Sequence, residues 1–206
     1  ELDIGDGADE GVGLRECLAA VKDAFRGAKY AGLACAIKNC GIGNGIDEVS
    51  ETRLKIVAPD TIEIYHGWSE MGQGIDTVAR QILAEVGGRD NRMAVVVTCS
   101  TGGGAMGGAT TASRGTSLLG NSTILAAEKL KADLAGNSLH DLVGKEYFAQ
   151  YLVDWTTSHD VDGEIISHFS YGYAVHLAIL DEAGKLQSIH AAHDAGRIIN
   201  PMLFEG

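Results

Sequence analysis

At 206 residues the chain is long enough to bury a real core as one large domain or two small lobes, and 45% hydrophobic with 21% charged residues is globular composition, which excludes disorder. A formal net charge of -12 argues against a general nucleic-acid or anionic-membrane surface, so a phosphate held here must be held by local amides and a few cations. The 28 glycines against two prolines, without a repeat, point to functional turns and not to collagen or a linker.

Residues 1–13 read as an acidic, flexible lead-in without an initiator methionine, and the chain stops at Glu205-Gly206 directly after an apolar approach, so it reads as an excised piece of something longer. Leu14, Cys17, Leu18, Val21 and Phe25 recur at helical spacing from 14 to about 28, and 31–38 then predicts a buried strand. A hairpin follows, 53–57 and 61–66, joined through Pro59-Asp60. Ile75, Val78, Ala79, Ile82, Leu83 and Val86 keep the i, i+3, i+4, i+7 pattern of an amphipathic helix, with Gly87-Gly88 as its stop. A short β-branched strand at 93–98 leads through a glycine-rich segment into a helix from about 112 to 135. Ser138 with Asp141 resembles a capping box and predicts a further helix to about Gln150.

The last third changes period to two. Phe169, Tyr171, Tyr173, Val175, Leu177 and Ile179 point one way, while His168, Ser170, Gly172, Ala174, His176 and Ala178 point the other. A turn at 181–184 returns the chain as 186–192, a long antiparallel hairpin. Helices interspersed with hairpins favour an α+β fold with mixed or antiparallel sheets and packed helices over a doubly wound α/β fold, with two similar lobes at 14–135 and 136–206.

Cys17, Cys35, Cys40 and Cys99 lack the CxxC spacing of zinc or iron–sulfur sites and read as buried free thiols. Cys35 and Cys40 fall on opposite sides of one strand. His190 and His193, three apart, fall on opposite faces as well, so they read as satisfied structural histidines and not as shared metal ligands. Asp194, Arg197 and Asn200 read as organisers of the turn before Pro201. No stretch approaches the roughly 20 apolar residues that span a bilayer, and no secretory signal opens the chain, which makes a soluble cytoplasmic protein the expectation.

Two glycine-flanked polar stretches, GWSEMGQG at 67–74 and GGATTASRGT at 107–116, each precede a predicted helix. Glycines let a backbone approach a ligand closely, and helix N-termini offer free N–H groups and partial positive charge to an anion. Taken singly, each residue has an ordinary reading. Gln73 is a polar residue in a first helical turn, Arg114 a solvated helix charge, Glu70 a dipole partner, and Ser113 and Thr116 helix caps, a role compatible with phosphate binding. GGGAMG at 102–107 matches GxGxxG after a strand, which would suit a nicotinamide cofactor, but a dinucleotide fingerprint opens its helix at once within a βαβ unit. A non-catalytic binding or assembly module with glycine-rich loops is the third reading.

GWSEMGQGIDT (67–77) resembles the GxxEMGQGxxT segment of the molybdenum hydroxylases, the xanthine dehydrogenase and aldehyde oxidase family. ATTASRGTSLLGN (109–121) resembles the TxASRxTxxxGN segment of that family, and FSYG (169–172) with HDAGRIINP (193–201) resembles its FSYG and DxGxxxNP segments. Order and approximate spacing agree from about residue 31 onward. The chain departs from the family at Ser100-Thr101, where an Asp-Thr pair is common.

The resemblance implies the second molybdenum-cofactor-binding region of a large catalytic subunit. Gln73 would then lie beside the metal with its amide on an oxo ligand, without ligating the metal itself, and Gly72 and Gly74 would let the backbone close around it. Thr111, Ala112, Ser113, Arg114 and Thr116 would cradle the pterin and its phosphates. The intact enzyme would hydroxylate a purine, another N-heterocycle or an aldehyde with water as oxygen source, with iron–sulfur and flavin (FAD) groups on partner domains or subunits. The family's catalytic glutamate lies in a segment beyond Gly206, so this piece is expected to be inactive alone. ACAIKNCGIGNGID (34–47) looks most like the bacterial xanthine-dehydrogenase-like branch, including its selenium-dependent members.

Overall fold

The computed structural model describes residues 12–88, 93–98 and 104–205. Along the chain run α1 (Val12–Gly27), β1 (Tyr30–Cys40), β2 (Glu48–Ala58), β3 (Thr61–His66), α2 (Ile75–Gly87), β4 (Ala94–Thr98), α3 (Gly115–Leu134), β5 (Glu146–Val153), β6 (Ser170–Leu180), β7 (Leu186–Asp194) and α4 (Pro201–Glu205). They fall into two compact units, an α+β arrangement in each. The first takes the described part of Glu1–Cys40 with His168–Arg197, and the second takes Gly41–Ser167 with the described part of Ile198–Gly206. The units are therefore interleaved, and the expected lobe boundary near 135 falls inside the second unit, between α3 and β5.

The first unit is a three-stranded antiparallel sheet in the order β1-β6-β7 with α1 on one face. The predicted two-residue period holds: Val175 and Leu177 are fully buried with Cys17 and Val21 of α1, and Tyr173, Ile179 and Ala192 pack around them. Asp181 shapes the β6–β7 turn, its Oδ1 accepting the N–H groups of Ala183 and Lys185 at 2.9 and 2.8 Å. β1 is longer than 31–38 and is not buried, because α1 lies chiefly over β6 and β7 and leaves this edge strand open. Cys35 is exposed for the same reason, against the expectation of a buried thiol; Cys17 is buried, Cys40 half-buried, and Cys99 lies outside the described residues.

In the second unit a four-stranded sheet runs β4-β3-β2-β5, with β2 antiparallel to β3 and β5, and β3 parallel to β4 through the α2 crossover. α2 and α3 pack on each other and against this sheet, burying Leu54, Ile56, Ile62, Ile64, Leu83, Leu118, Leu119 and Leu130 almost completely. α2 ends where expected, with Gly88 in a left-handed conformation donating its N–H to the Ala84 carbonyl.

The helix expected from Ser138 to Gln150 is not formed. Its capping signal is real, since Ser138 Oγ and N–H both donate to Asp141 Oδ2 at 2.5 and 2.9 Å. It starts only a 3₁₀ turn, His140–Leu142, which Gly144 at φ 89° ends. The following EYFAQYLV alternates, burying Tyr147, Ala149 and Val153, and pairs with β2 as β5. α3 likewise begins at Gly115 and not at 112, because Ala112 and Ser113 hold left-handed backbones at φ 56° and 53°.

The coverage of the β1-β6-β7 sheet on one face only can be checked by chemical denaturation. Leu177→Ala is expected to cost about 2–5 kcal/mol as a cavity under α1. Ile189→Ala, on the opposite face and 61% exposed, is expected to stay within about 0.5 kcal/mol.

Candidate functional site

The two glycine-flanked loops meet in the second unit. A Cβ on Gly67 would sit 2.5 Å from the Ala105 carbonyl oxygen and 2.6 Å from the Gly107 nitrogen, and one on Gly107 would sit 2.8 Å from the Gly67 carbonyl carbon. Only glycine fits at both places, so the backbones cross in direct contact. Ser69 N–H donates to Thr110 Oγ1 at 3.0 Å, and Met106 and Glu51 exchange two hydrogen bonds. Gly115, at the head of α3, packs beside Ile75 at the head of α2, so both helix N-termini lie together.

The first loop is closed by its own glutamate. Glu70 Oε1 accepts the N–H groups of Gly72 and Gly74 at 2.8 and 3.0 Å, and Oε2 accepts that of Asp76 at 3.2 Å. Burial pushes the Glu70 carboxyl up, but these amides with that of Ile75 outweigh it and hold it below the usual glutamate range. The α2 N-terminus is thus already supplied with an anion, as the dipole-partner reading of Glu70 expects. Gln73 is exposed; its Oε1 accepts the Met71 N–H at 2.6 Å and its Nε2 donates to the Ser69 carbonyl at 2.8 Å. That leaves a second Nε2–H to offer outward. Gly72, at φ 98°, has open space where a Cβ would be.

His66, fully buried at the end of β3, clasps the base of this loop. Its Nδ1 accepts the Trp68 N–H at 3.3 Å and its Nε2 lies 3.2 Å from Asp76 Oδ1. Burial lowers its pKa despite the neighbouring Asp76, so the ring is neutral; its Nε2 and Asp76 Oδ1 are close, but neither makes a well-aligned hydrogen bond among the described residues.

Arg114 is turned inward, not toward solvent. It is 5% exposed, its Nη1 donates to Glu48 Oε2 at 2.7 Å, its Nη2 donates to the Ala109 carbonyl at 2.8 Å, and its guanidinium lies 5.3 Å from the Trp68 ring centre. Glu48 is buried too, and its other oxygen accepts the Gly43 N–H at 2.8 Å. The guanidinium expected to meet an anion is therefore neutralised internally, and it braces the loop. At α3 the N-cap residue Arg114 makes no side-chain capping bond, while Thr111, Ser113 and Thr116 are exposed around the helix start with Ala112 and Gly115 half-buried. The arrangement offers an anion amides and hydroxyls, not a free cation.

Asn200 accepts the Leu203 N–H as the cap of α4 and donates to Gln81 Oε1 of α2 at 2.8 Å, and Leu203 packs against Gly74. FSYG and residues 193–197 belong to the first unit, where Phe169 is buried and Asp194 Oδ1 accepts the Gly196 N–H at 3.1 Å. His190 and His193 are on opposite faces as expected. His190 meets Ser188 Oγ, whereas His193 meets His176 on the adjacent strand, a pairing the one-strand reading missed. Of the GxGxxG match, Gly102 and Gly103 lie outside the described residues, as does Ser100-Thr101, and the following helix opens only at Gly115. Sequence reasoning also missed Glu48, Ser50 and Thr52, which face inward from β2. Ser50 accepts the Trp68 indole N–H at 2.9 Å, and the Ser50 and Thr52 hydroxyls both meet Ser122 of α3.

Two outcomes check this geometry. Glu48→Gln and Arg114→Met are each expected to cost about 3–5 kcal/mol in urea unfolding, with the double variant costing less than their sum. For Glu70, whose folded pKa is lowered, stabilisation relative to Glu70→Gln is present above the ordinary glutamate range, about pH 4.3, and is lost as pH falls through the lowered value. Denaturation midpoints of both proteins, followed downward from pH 7, are expected to converge there.

A family model described as the molybdopterin cofactor-binding domain matches residues 8–206. Among solved structures, the chain is similar to the aldehyde oxidoreductase from Desulfovibrio gigas (TM-score 0.71, 19% identity, 92% of this chain and 23% of that one). It is similar also to the CO dehydrogenase from Oligotropha carboxidovorans (0.63, 21%, 93% and 30%) and to the quinoline 2-oxidoreductase from Pseudomonas putida 86 (0.65, 18%, 98% and 33%). The chain thus spans between 23% and 33% of the length of these neighbours, and at such identities they report the fold. No curated protein matches.

Proposed function

We propose, because the chain belongs to the molybdopterin cofactor-binding domain family, that its second unit supplies one wall of a pterin–molybdenum site in a molybdenum-dependent oxidoreductase. The observation that carries this reading is the contact of Gly67 with Gly107, which puts the Gln73 loop beside the start of α3. The residues present fit the group. Gln73 extends a neutral amide from a loop whose glycines leave open backbone, and the uncapped α3 start with its exposed hydroxyls suits a phosphate.

In this assignment Thr111, Ser113 and Thr116 hydrogen-bond the pterin's phosphate, Ala112 lets the backbone turn toward it, and Arg114 positions the loop from behind without giving its charge to the ligand. Gln73, held by Met71 and Ser69, directs its remaining N–H toward the metal's ligand sphere without ligating the metal, and Gly72 and Gly74 allow the approach. When bound, the cofactor would supply the two-electron redox chemistry that adds a water-derived oxygen to substrate.

The substrate class assigned is a purine, another N-heterocycle or an aldehyde, with the xanthine-dehydrogenase-like branch, selenium-dependent members included, drawn from residues 34–47. Iron–sulfur and flavin partners carry the electrons onward, the general base comes from another part of the enzyme, and the compartment is the cytoplasm. Among the described residues no helix is long and apolar enough to cross a membrane.

The test uses the full-length enzyme expressed with molybdate. Ser113→Ala/Thr116→Ala is expected to lower molybdenum and pterin content about tenfold through loss of hydrogen bonds to a charged group. Gln73→Ala is expected to keep its molybdenum and lose turnover about tenfold or more. Nicotinamide binding without molybdenum would replace this reading with the GGGAMG one, and binding of neither with a non-catalytic module.

A further inference from the structure

We infer that His176 and His193 form a two-imidazole site for a divalent cation of the nickel, copper or zinc class, on the face of the β1-β6-β7 sheet opposite α1. The strand register builds it. His176 of β6 stands opposite Ala191 and His193 of β7 opposite Ala174, so the two histidines are diagonal neighbours on one face. Their Nε2 atoms are 3.0 Å apart, with ring centres 5.1 Å apart and planes at 60°.

The 3.0 Å separation is that of a hydrogen bond, and it also lies within reach of two nitrogens sharing a metal. With metal–nitrogen bonds of about 2.1 Å, two Nε2 ligands lie roughly 3.4 Å apart on a tetrahedral ion and roughly 3.0 Å apart at adjacent octahedral positions. Between two nitrogens at hydrogen-bond distance there is at most one proton, so at least one lone pair is aimed at the other ring. A divalent cation takes the place of that proton and uses both lone pairs. Imidazole nitrogen selects this class of ion over magnesium or calcium.

The surroundings leave room for it. Ala34, Ala36, Ala174 and Ala191 form the floor on the neighbouring positions, and both rings are exposed, so water completes the coordination. Among the described residues no group of three or more His, Cys, Asp or Glu side chains is placed to hold a metal. A two-imidazole site of this kind would be exchangeable, unlike a closed four-ligand structural centre. It is independent of the molybdenum reading, which involves the other unit.

The full-length protein is dialysed against Zn²⁺ alone, and separately Ni²⁺ alone, and its bound metal counted by mass spectrometry. One additional equivalent is expected in the wild type and in His190→Ala, whose ring lies on the other face. His176→Ala and His193→Ala, both at exposed positions, are expected to bind at least about tenfold more weakly, with unchanged circular dichroism. Cu²⁺ added to the wild type is expected to show electron-paramagnetic coupling to two nitrogens. No additional equivalent in the wild type, or the same uptake by His176→Ala and His193→Ala, would overturn the assignment.

Discussion

The buried ion pair between Glu48 and Arg114 is the constraint from which the second unit's loops take their shape. Two charges in a desolvated setting are tolerable only when each is paired and most of its remaining hydrogen-bonding atoms are used. Here Glu48 serves the guanidinium with one oxygen and the Gly43 amide with the other, while Arg114 also holds the Ala109 carbonyl and lies over Trp68, its buried Nε alone finding no partner among the described residues. The β1–β2 connection, the polar turn before α3 and the indole that anchors the first loop thereby converge on one pair. The left-handed backbones at Ala112 and Ser113, unfavourable for residues with a Cβ, persist because the next residue is fixed inside.

Two helix starts lie side by side with opposite endowments. α2 has its positive end filled by Glu70, so its loop is self-sufficient and the Gln73 amide is held by backbone partners on both atoms. α3 has no acidic residue in its first turn. Under the proposed function, this division would give recognition of negative charge to α3 and the presentation of a neutral polar group to the other loop. A redox metal centre needs both, because a fixed charge beside the metal would shift its potential whereas a dipole orients with less perturbation.

The helices α1, α2 and α3 and the β6–β7 hairpin were legible because their apolar periods face a helix or a sheet without interruption. β2 was cut short at Arg53 in the sequence reading because Glu48, Ser50 and Thr52 alternate correctly but are polar; they are buried against α3 and the loops, satisfied by Ser122, Trp68 and Arg114. β5 was mistaken for a helix because Ser138 and Asp141 form a genuine helical first turn, and a cap says where a turn starts, not how far it runs. The glycine-flanked motifs marked the two loops that touch at Gly67 and Gly107. They could not show Arg114 facing inward, since its partner is 66 residues away, nor the His176–His193 contact, which depends on strand register.

The order of the chain carries a kinetic meaning. β1 leaves the first sheet at Cys40 and its partner β6 begins only at Ser170, so an unstructured intervening chain would oppose their pairing, each doubling of loop length adding roughly 0.6 kcal/mol of closure entropy. The second unit removes that obstacle when it forms, because Asn44 near its start donates its N–H to the Ser167 carbonyl at its end, 2.8 Å away. Once that inserted unit has folded, the two distant strands are delivered to each other as though joined by a short turn. Loop-closure entropy accordingly favours forming the intervening portion before β1 pairs with β6, whereas the local β6–β7 hairpin carries no such requirement.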